Sequence, residues 1–262
     1  MNYVRYIPYA IYSLFVFKNP YTFLKGQFGI IKNFTVETRE RETNLLLRCW
    51  GREDASSLSV IFLKHEYGTI KRGHVVFDIG ANKGYFSLFA AKSGARVYAF
   101  EPDTSTFEKL KEVISENNSV SPKITLFKKG IAGKSGQHSF FHDPKSSIAS
   151  SMLFNSENTI ETTIECTTIR DVLQEERITT IDVLKIDAEG AEYSTFYTMD
   201  DKTFRAIKEI RMEYHTDVTN EKNTISQLQK HIISKGFIMT KLQPAGEGCG
   251  IVWFTNKDTI KE

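Results

Sequence analysis

Residues 75–84, VVFDIGANKG, constrain the fold of this chain more than any other stretch. Val75-Val76-Phe77 is an apolar run without polar alternation. That pattern belongs to a strand buried on both faces, and such strands occur in parallel sheets covered by helices. Asp78 and a tight turn, Gly80-Ala81-Asn82-Lys83-Gly84, end the run, and the apolar segment Tyr85 to Ala91 follows as a helix. Glycines at 80 and 84 allow backbone conformations and close approaches that a Cβ opposes. A side chain at Gly80 is expected to fill space meant for a ligand. Strand, glycine turn and helix N-terminus in this order form a cradle for a nucleotide-like molecule.

The spacing narrows the ligand. A dinucleotide fingerprint needs G-x-G-x-x-G, but the turn reads D-x-G-x-N-x-G, with Asn82 at the middle position. No phosphate loop ending in Gly-Lys-Ser/Thr is present. Asp78, ahead of the glycines, would repel a pyrophosphate and suits a cationic amine or sulfonium. A second strand, Arg96 to Phe100, ends in Glu101, 17 residues beyond Gly84. That is close to the ~20 expected of a carboxylate that accepts both ribose hydroxyls. Ribose, amine and sulfonium together describe S-adenosylmethionine.

The chain of 262 residues suits one α/β domain with an addition. Residues 1–70 are read as an N-terminal helical/β extension, a cover for an acceptor site or a contact with a membrane surface. Residues 71–262 form the cofactor-binding domain. Net charge is +2, and no basic cluster is interleaved with aromatics, so nucleic acid is not indicated as a partner. Cys49, Cys166 and Cys249 have neither metal-ligand nor disulfide spacing, which favours a reducing cytoplasm. Tyr3 to Phe17 is aromatic and apolar, yet shorter than the ~20 residues that span a bilayer. It reads as a packed helix or as a peripheral membrane anchor through residues 3–18, with Arg5, Lys18 and Lys25 meeting lipid phosphates.

Downstream, strands and helices alternate. Ser105 to Asn117 is predicted helical, with Ser105 and Glu108 as a capping box. Strands follow at Ile124–Phe127, Gln137–His142, Thr159–Ile169, Ile181–Asp187 and Ile210–His215, and a serine- and asparagine-rich loop at 143–158. A helix from Thr224 stops at Gly236, and two strands joined by Pro-Ala-Gly-Glu-Gly close the sheet. The predicted class is therefore a doubly wound α/β sheet, mostly parallel with an antiparallel last strand.

A second acidic cluster, Asp187-Ala188-Glu189-Gly190-Ala191-Glu192, follows the strand at 181. One of Glu189 and Glu192 is expected merely to favour a helix N-terminus. Asp187, at the strand end, faces the crevice. Lys185 precedes it on the same strand face and calls for a structural ion pair. Glu213 and His215 end the next strand on one face. Asp187, Glu213 and His215 are thus candidates for acid–base work, with His215 as general base and Glu213 orienting its ring; a shared Mg²⁺ or Mn²⁺ is the lesser alternative.

The segments VVFDIGANKGYFS, VYAFEP, IDVLKIDAEGAE and IRMEYH, in this order, resemble the FkbM family of S-adenosylmethionine-dependent methyltransferases over roughly residues 70–255. The resemblance implies a seven-stranded class I methyltransferase fold and O-methylation of a hydroxyl, often of a sugar, glycan or glycosylated metabolite. It maps Asp78, Gly80, Asn82 and Gly84 onto the glycine loop, Glu101 onto the ribose carboxylate, and Asp187 with Glu189 onto the motif after the fourth strand. Lys128-Lys129-Gly130-Ile131 departs from the family in offering no acid or amide to adenine, which leaves backbone near Ile131 to hold it. Methyl transfer to a different small-molecule acceptor, a nicotinamide oxidoreductase and a non-catalytic cofactor-binding partner of a glycosyltransferase are the competing readings.

Overall fold

A computed structural model describes residues 7–39, 43–142, 160–188, 190–215, 224–246 and 248–260. Segment 143–158 and Glu189 lie outside the described residues.

The chain opens with helices α1 (Ile7–Val16) and α2 (Pro20–Gln27) and the antiparallel pair β1 (Phe34–Glu37) and β2 (Leu46–Cys49). Helix α3 (Arg52–Leu58) runs into a π-helical turn over 59–63. The main sheet begins at β3 (Val75–Ile79), followed by α4 (Tyr85–Lys92), β4 (Arg96–Phe100), α5 (Thr104–Ser115) and β5 (Ile124–Phe127). Short β6 (Gly130–Ile131), β7 (Gly136–His142) and β8 (Ile160–Thr167) form a separate three-stranded sheet in the order β6-β8-β7. After α6 (Ile169–Glu175) come β9 (Ile181–Ile186), α7 (Ala191–Thr198), α8 (Asp201–Arg205), β10 (Ile207–His215), α9 (Ile225–Ser234), β11 (Phe237–Gly246) and β12 (Cys249–Asn256).

Seven strands line up as β11-β12-β10-β9-β3-β4-β5. The five from β10 to β5 are mutually parallel, and β12 runs antiparallel to both β10 and β11. This is the class I methyltransferase architecture, mostly parallel with an antiparallel last strand. The sheet order reverses between β3 and β9, where ligands of doubly wound sheets bind.

Both sheet faces are buried, which explains the unbroken apolar runs. Val76, Val97, Ala99 and Val183 face a core shared with α4, α5 and the N-terminal segment, including Phe17, Leu47, Leu58 and Phe62. Phe77, Phe100, Leu184, Ile186 and Met212 face the other core, built with α6, α7, α8 and α9. The described residues of the N-terminal 70 and the sheet therefore share one hydrophobic core.

Local chemistry sets the helix ends. Asp103 caps α5, its side chain accepting from the Thr106 amide at 2.8 Å, so the expected Ser105–Glu108 box is displaced by the residue before it. Thr168 and Thr224 cap α6 and α9 in the same way.

Candidate functional site

The carboxyl ends of β3, β4, β9 and β10 open into a cleft of about 280 Å³. Its wall holds Gly80, Asn82, Glu101, Ile131, Asp187, Glu213 and His215. Asp78 and Gly84 stand outside the wall. Phe86, Pro102 and Phe140 supply apolar surface, and Glu53, Ser56, Val60, Ile61 and Tyr67 close the side formed by the N-terminal segment.

Three left-handed residues build the turn after β3: Gly80 at φ 70°, Asn82 at 51° and Gly84 at 81°. Asparagine tolerates this region better than most side chains, so Asn82 serves where a third glycine would otherwise be expected. The amides of Gly80 and Ala81 donate to the Phe100 carbonyl at 3.1 and 2.9 Å, tying the turn to the end of β4. Both glycines answer to packing as well. A Cβ at Gly80 would overlap the Asp187 carbonyl, and one at Gly84 would strike Leu110 and Ile114 of α5.

Glu101 follows β4 and is nearly buried. Its Oε2 accepts from the Asn82 amide at 3.0 Å and its Oε1 from the Asp103 amide at 2.9 Å. Burial pushes its pKa up to about 8, against these two hydrogen bonds, which favour the ionised form. Each oxygen keeps a second lone pair for a further donor.

Asp78, expected to meet a cationic ligand, stands off the cleft wall. It is fully buried opposite Lys185 in the β3–β9 register, with Oδ1 3.1 Å from Lys185 Nζ and Oδ2 accepting from the Ser87 hydroxyl at 2.6 Å. Its cation is thus supplied by the protein. Lys185 Nζ also donates to the Gly80 carbonyl at 2.9 Å and stands 3.9 Å from Asp187 Oδ2. Burial opposes the Lys185 charge, but Asp78 and Asp187 outweigh it and hold the pKa above the usual value.

Glu213 and His215 reach the cleft from the end of β10. The Asp187 carboxylate, and then burial, push Glu213 up to about 7; the Tyr67 hydroxyl, His215 and Lys185 pull the other way. Tyr67 donates to Glu213 Oε2 at 2.9 Å. Its carbonyl accepts from Arg211 at 2.5 Å, and Lys185 Nζ lies 5.6 Å from its ring centre. Tyr67 escaped the sequence reading because it carries no motif. The available signal was indirect: Lys185 and Arg211, cations on adjacent core strands, require partners from outside the sheet. Glu192, in the first turn of α7, is fully buried and accepts from the amides of Ala188 and Gly190 at 2.8 and 2.7 Å. Among the described residues no three His, Cys, Asp or Glu side chains group as a metal site. Ile131 sits in β6, beside the main sheet rather than at its third strand, with Gly130 also on the cleft wall.

Residues 78–239 match the family model of the methyltransferase FkbM domain. Among curated proteins, the 31-O-demethyl-FK506 methyltransferase FkbM of Streptomyces tacrolimicus is 27% identical over 184 residues, spanning 59% of this chain and 70% of that protein. The probable histone-arginine methyltransferase CARM1 of Oryza sativa subsp. indica is 47% identical over 57 residues. That match spans 21% of this chain and only 11% of the length of the rice protein. Among solved structures, the crystal structure of methyltransferase FkbM from Methylobacillus flagellatus KT has a TM-score of 0.51 at 14% identity. It covers 97% of this chain and 60% of that one, and shows a common fold.

Proposed function

This chain belongs to the FkbM methyltransferase family, and on that premise we propose that it O-methylates a hydroxyl of a sugar, glycan or glycosylated metabolite with S-adenosylmethionine as donor. What supports this is one juxtaposition. Across a single cleft, Glu101 stands ready to accept hydroxyls, and Asp187, Glu213 and His215 gather proton acceptors. The S. tacrolimicus relative, whose name states methylation of a demethylated oxygen, favours O-methylation.

The cofactor fits the residues present. Glu101 would accept the ribose hydroxyls, and Pro102 and Phe140 offer apolar surface to adenine beside the backbone of Ile131. Gly80, Asn82 and Asp187 border the remainder. Bound there, S-adenosylmethionine supplies a methyl group already activated on a sulfonium. The chain's own task is to orient the acceptor, exclude water and take one proton. Glu213, with its pKa at about 7, is partly ionised in neutral solution and basic enough to receive the hydroxyl proton on its carboxylate. Tyr67 fixes that carboxylate by its hydrogen bond, and His215, two residues on, supplies a second proton acceptor from the same strand end.

Incubation of the full chain with methyl-labelled S-adenosylmethionine and a panel of glycosylated acceptors, read by mass spectrometry, tests the proposal. The expected product carries the label on oxygen. Calorimetry in which NADH binds and S-adenosylhomocysteine does not would instead place the chain among nicotinamide enzymes.

A further inference from the structure

We propose that the outer face of the N-terminal layer docks on an anionic lipid bilayer. Helix α1 is apolar on both sides. Its inner side packs into the core through Tyr9 and Val16, next to the fully buried Ser13 and Phe17. On the outer side Ile11, Leu14 and Phe15, spaced as one helical stripe, are 54, 42 and 68% exposed. A helix on the surface of a protein bathed only in water carries polar side chains there. Helix α2 and the turn after it add Tyr21, Phe28 and Ile30, each more than half exposed. Seven of the fifteen exposed large hydrophobic side chains among the described residues fall between positions 11 and 30, so the exposure is concentrated rather than scattered.

Charge selects the occupant. Residues 1–36 contain Arg5, Lys18, Lys25 and Lys32 and no Asp or Glu, whereas the rest of the chain holds 30 cations against 32 anions. Lys18 pairs with Glu37 at the margin, and Lys25 and Lys32 are exposed. Exposed rings beside ammonium groups suit a lipid interface, where rings enter the acyl boundary and cations meet phosphates. A second copy meeting this face symmetrically would set cations against cations. Among the described residues no helix is long and apolar enough to cross a membrane, so the contact is peripheral. The layer also walls the cleft: Gln27 of α2 hydrogen-bonds Ser56 of α3 at 3.3 Å, and Ser56 lines the cavity. The lipid-facing layer is thus in direct contact with one wall of the cleft.

Co-sedimentation of the full chain with phosphatidylcholine vesicles, with and without phosphatidylglycerol, tests this. Binding is expected to the anionic vesicles and to fall about tenfold on neutral ones or at high salt. The double variant Ile11→Glu, Phe15→Glu should lose binding by at least about tenfold with its thermal melting unchanged. Lys25→Glu with Lys32→Glu should abolish the preference for anionic lipid. Wild-type protein that stays in the supernatant with anionic vesicles overturns the proposal. So does an Ile11→Glu, Phe15→Glu protein that binds as wild type, or one whose only change is conversion of a dimer to a monomer in ultracentrifugation.

Discussion

The proposed ribose contact would couple cofactor binding to a proton on Glu101. In the free protein its carboxyl is protonated below about 8, because burial outweighs the two amide hydrogen bonds. Two ribose hydroxyls donating to it would favour the ionised form, lowering its pKa and expelling the proton on binding. Affinity for S-adenosylhomocysteine is therefore expected to rise with pH up to about 8 and level off above it. Calorimetry in buffers of different ionisation enthalpy reads the released proton directly. Glu101→Gln should weaken binding about ten- to a hundredfold and flatten the pH dependence. The second residue-scale expectation concerns Glu213. A base with a pKa of about 7 gives turnover that climbs through neutrality as the carboxylate ionises. Glu213→Gln should cost about 10²–10⁴ in kcat and erase that limb, whereas His215→Ala should lower kcat and leave the limb in place. Turnover that survives EDTA fits proton transfer without a metal; activity abolished by EDTA and restored by Mg²⁺ would reassign Asp187, Glu213 and His215 as ligands.

At the scale of elements, the turn between β3 and α4 is held by its neighbours as much as by its own glycines. Gly80→Val forces a branched side chain into positive φ, at about 1–3 kcal/mol for the conformation alone, and drives it into the Asp187 carbonyl. Urea unfolding should show the loss of stability, and a Gly80→Val protein of wild-type stability would contradict this packing. Lys185→Met leaves Asp78 charged and buried without its cation, a change expected to cost about 3–5 kcal/mol. Adding Asp78→Asn should recover part of it. The strands and this turn were legible in sequence because their signals are local: unbroken apolar runs, two glycines at fixed spacing, carboxylates at strand ends. Asp187, Glu213 and His215 were legible as a group because parallel strands deliver their ends to one crevice. The illegible features are those made by distance along the chain. Glu101 gave no hint that it also accepts amides from Asn82 and Asp103, and nothing near Tyr67 foretold that Arg211 and Glu213 would hold it. The β1–β2 pair and the separate sheet of β6, β7 and β8 depend on pairings that period alone cannot choose.

The molecule as a whole is organised around the join between its first 70 residues and the sheet. Phe17, Leu47, Leu58 and Phe62 enter the same core as Val76 and Leu110. A buried ion pair, Lys83 Nζ to Asp54 Oδ1 at 2.5 Å, pins α3 to the glycine turn. A fragment beginning at residue 71 would expose that core face and strand Lys83 without its carboxylate. It is expected to lack a cooperative thermal transition, as circular dichroism would show, and Asp54→Ala in the full chain should cost about 3–5 kcal/mol. The two tryptophans stand along this join. Trp50 has Lys83 Nζ 5.9 Å and Lys109 Nζ 5.6 Å from its ring, and Trp253 has Lys241 Nζ at 4.5 Å and the Arg211 guanidinium at 5.0 Å. Each indole thus lies beneath cations whose field tunes its emission. The chain carries its own optical gauge: with Trp253→Phe in place, the colour of the remaining fluorescence reports how tightly the glycine turn is held whenever a ligand enters the cleft.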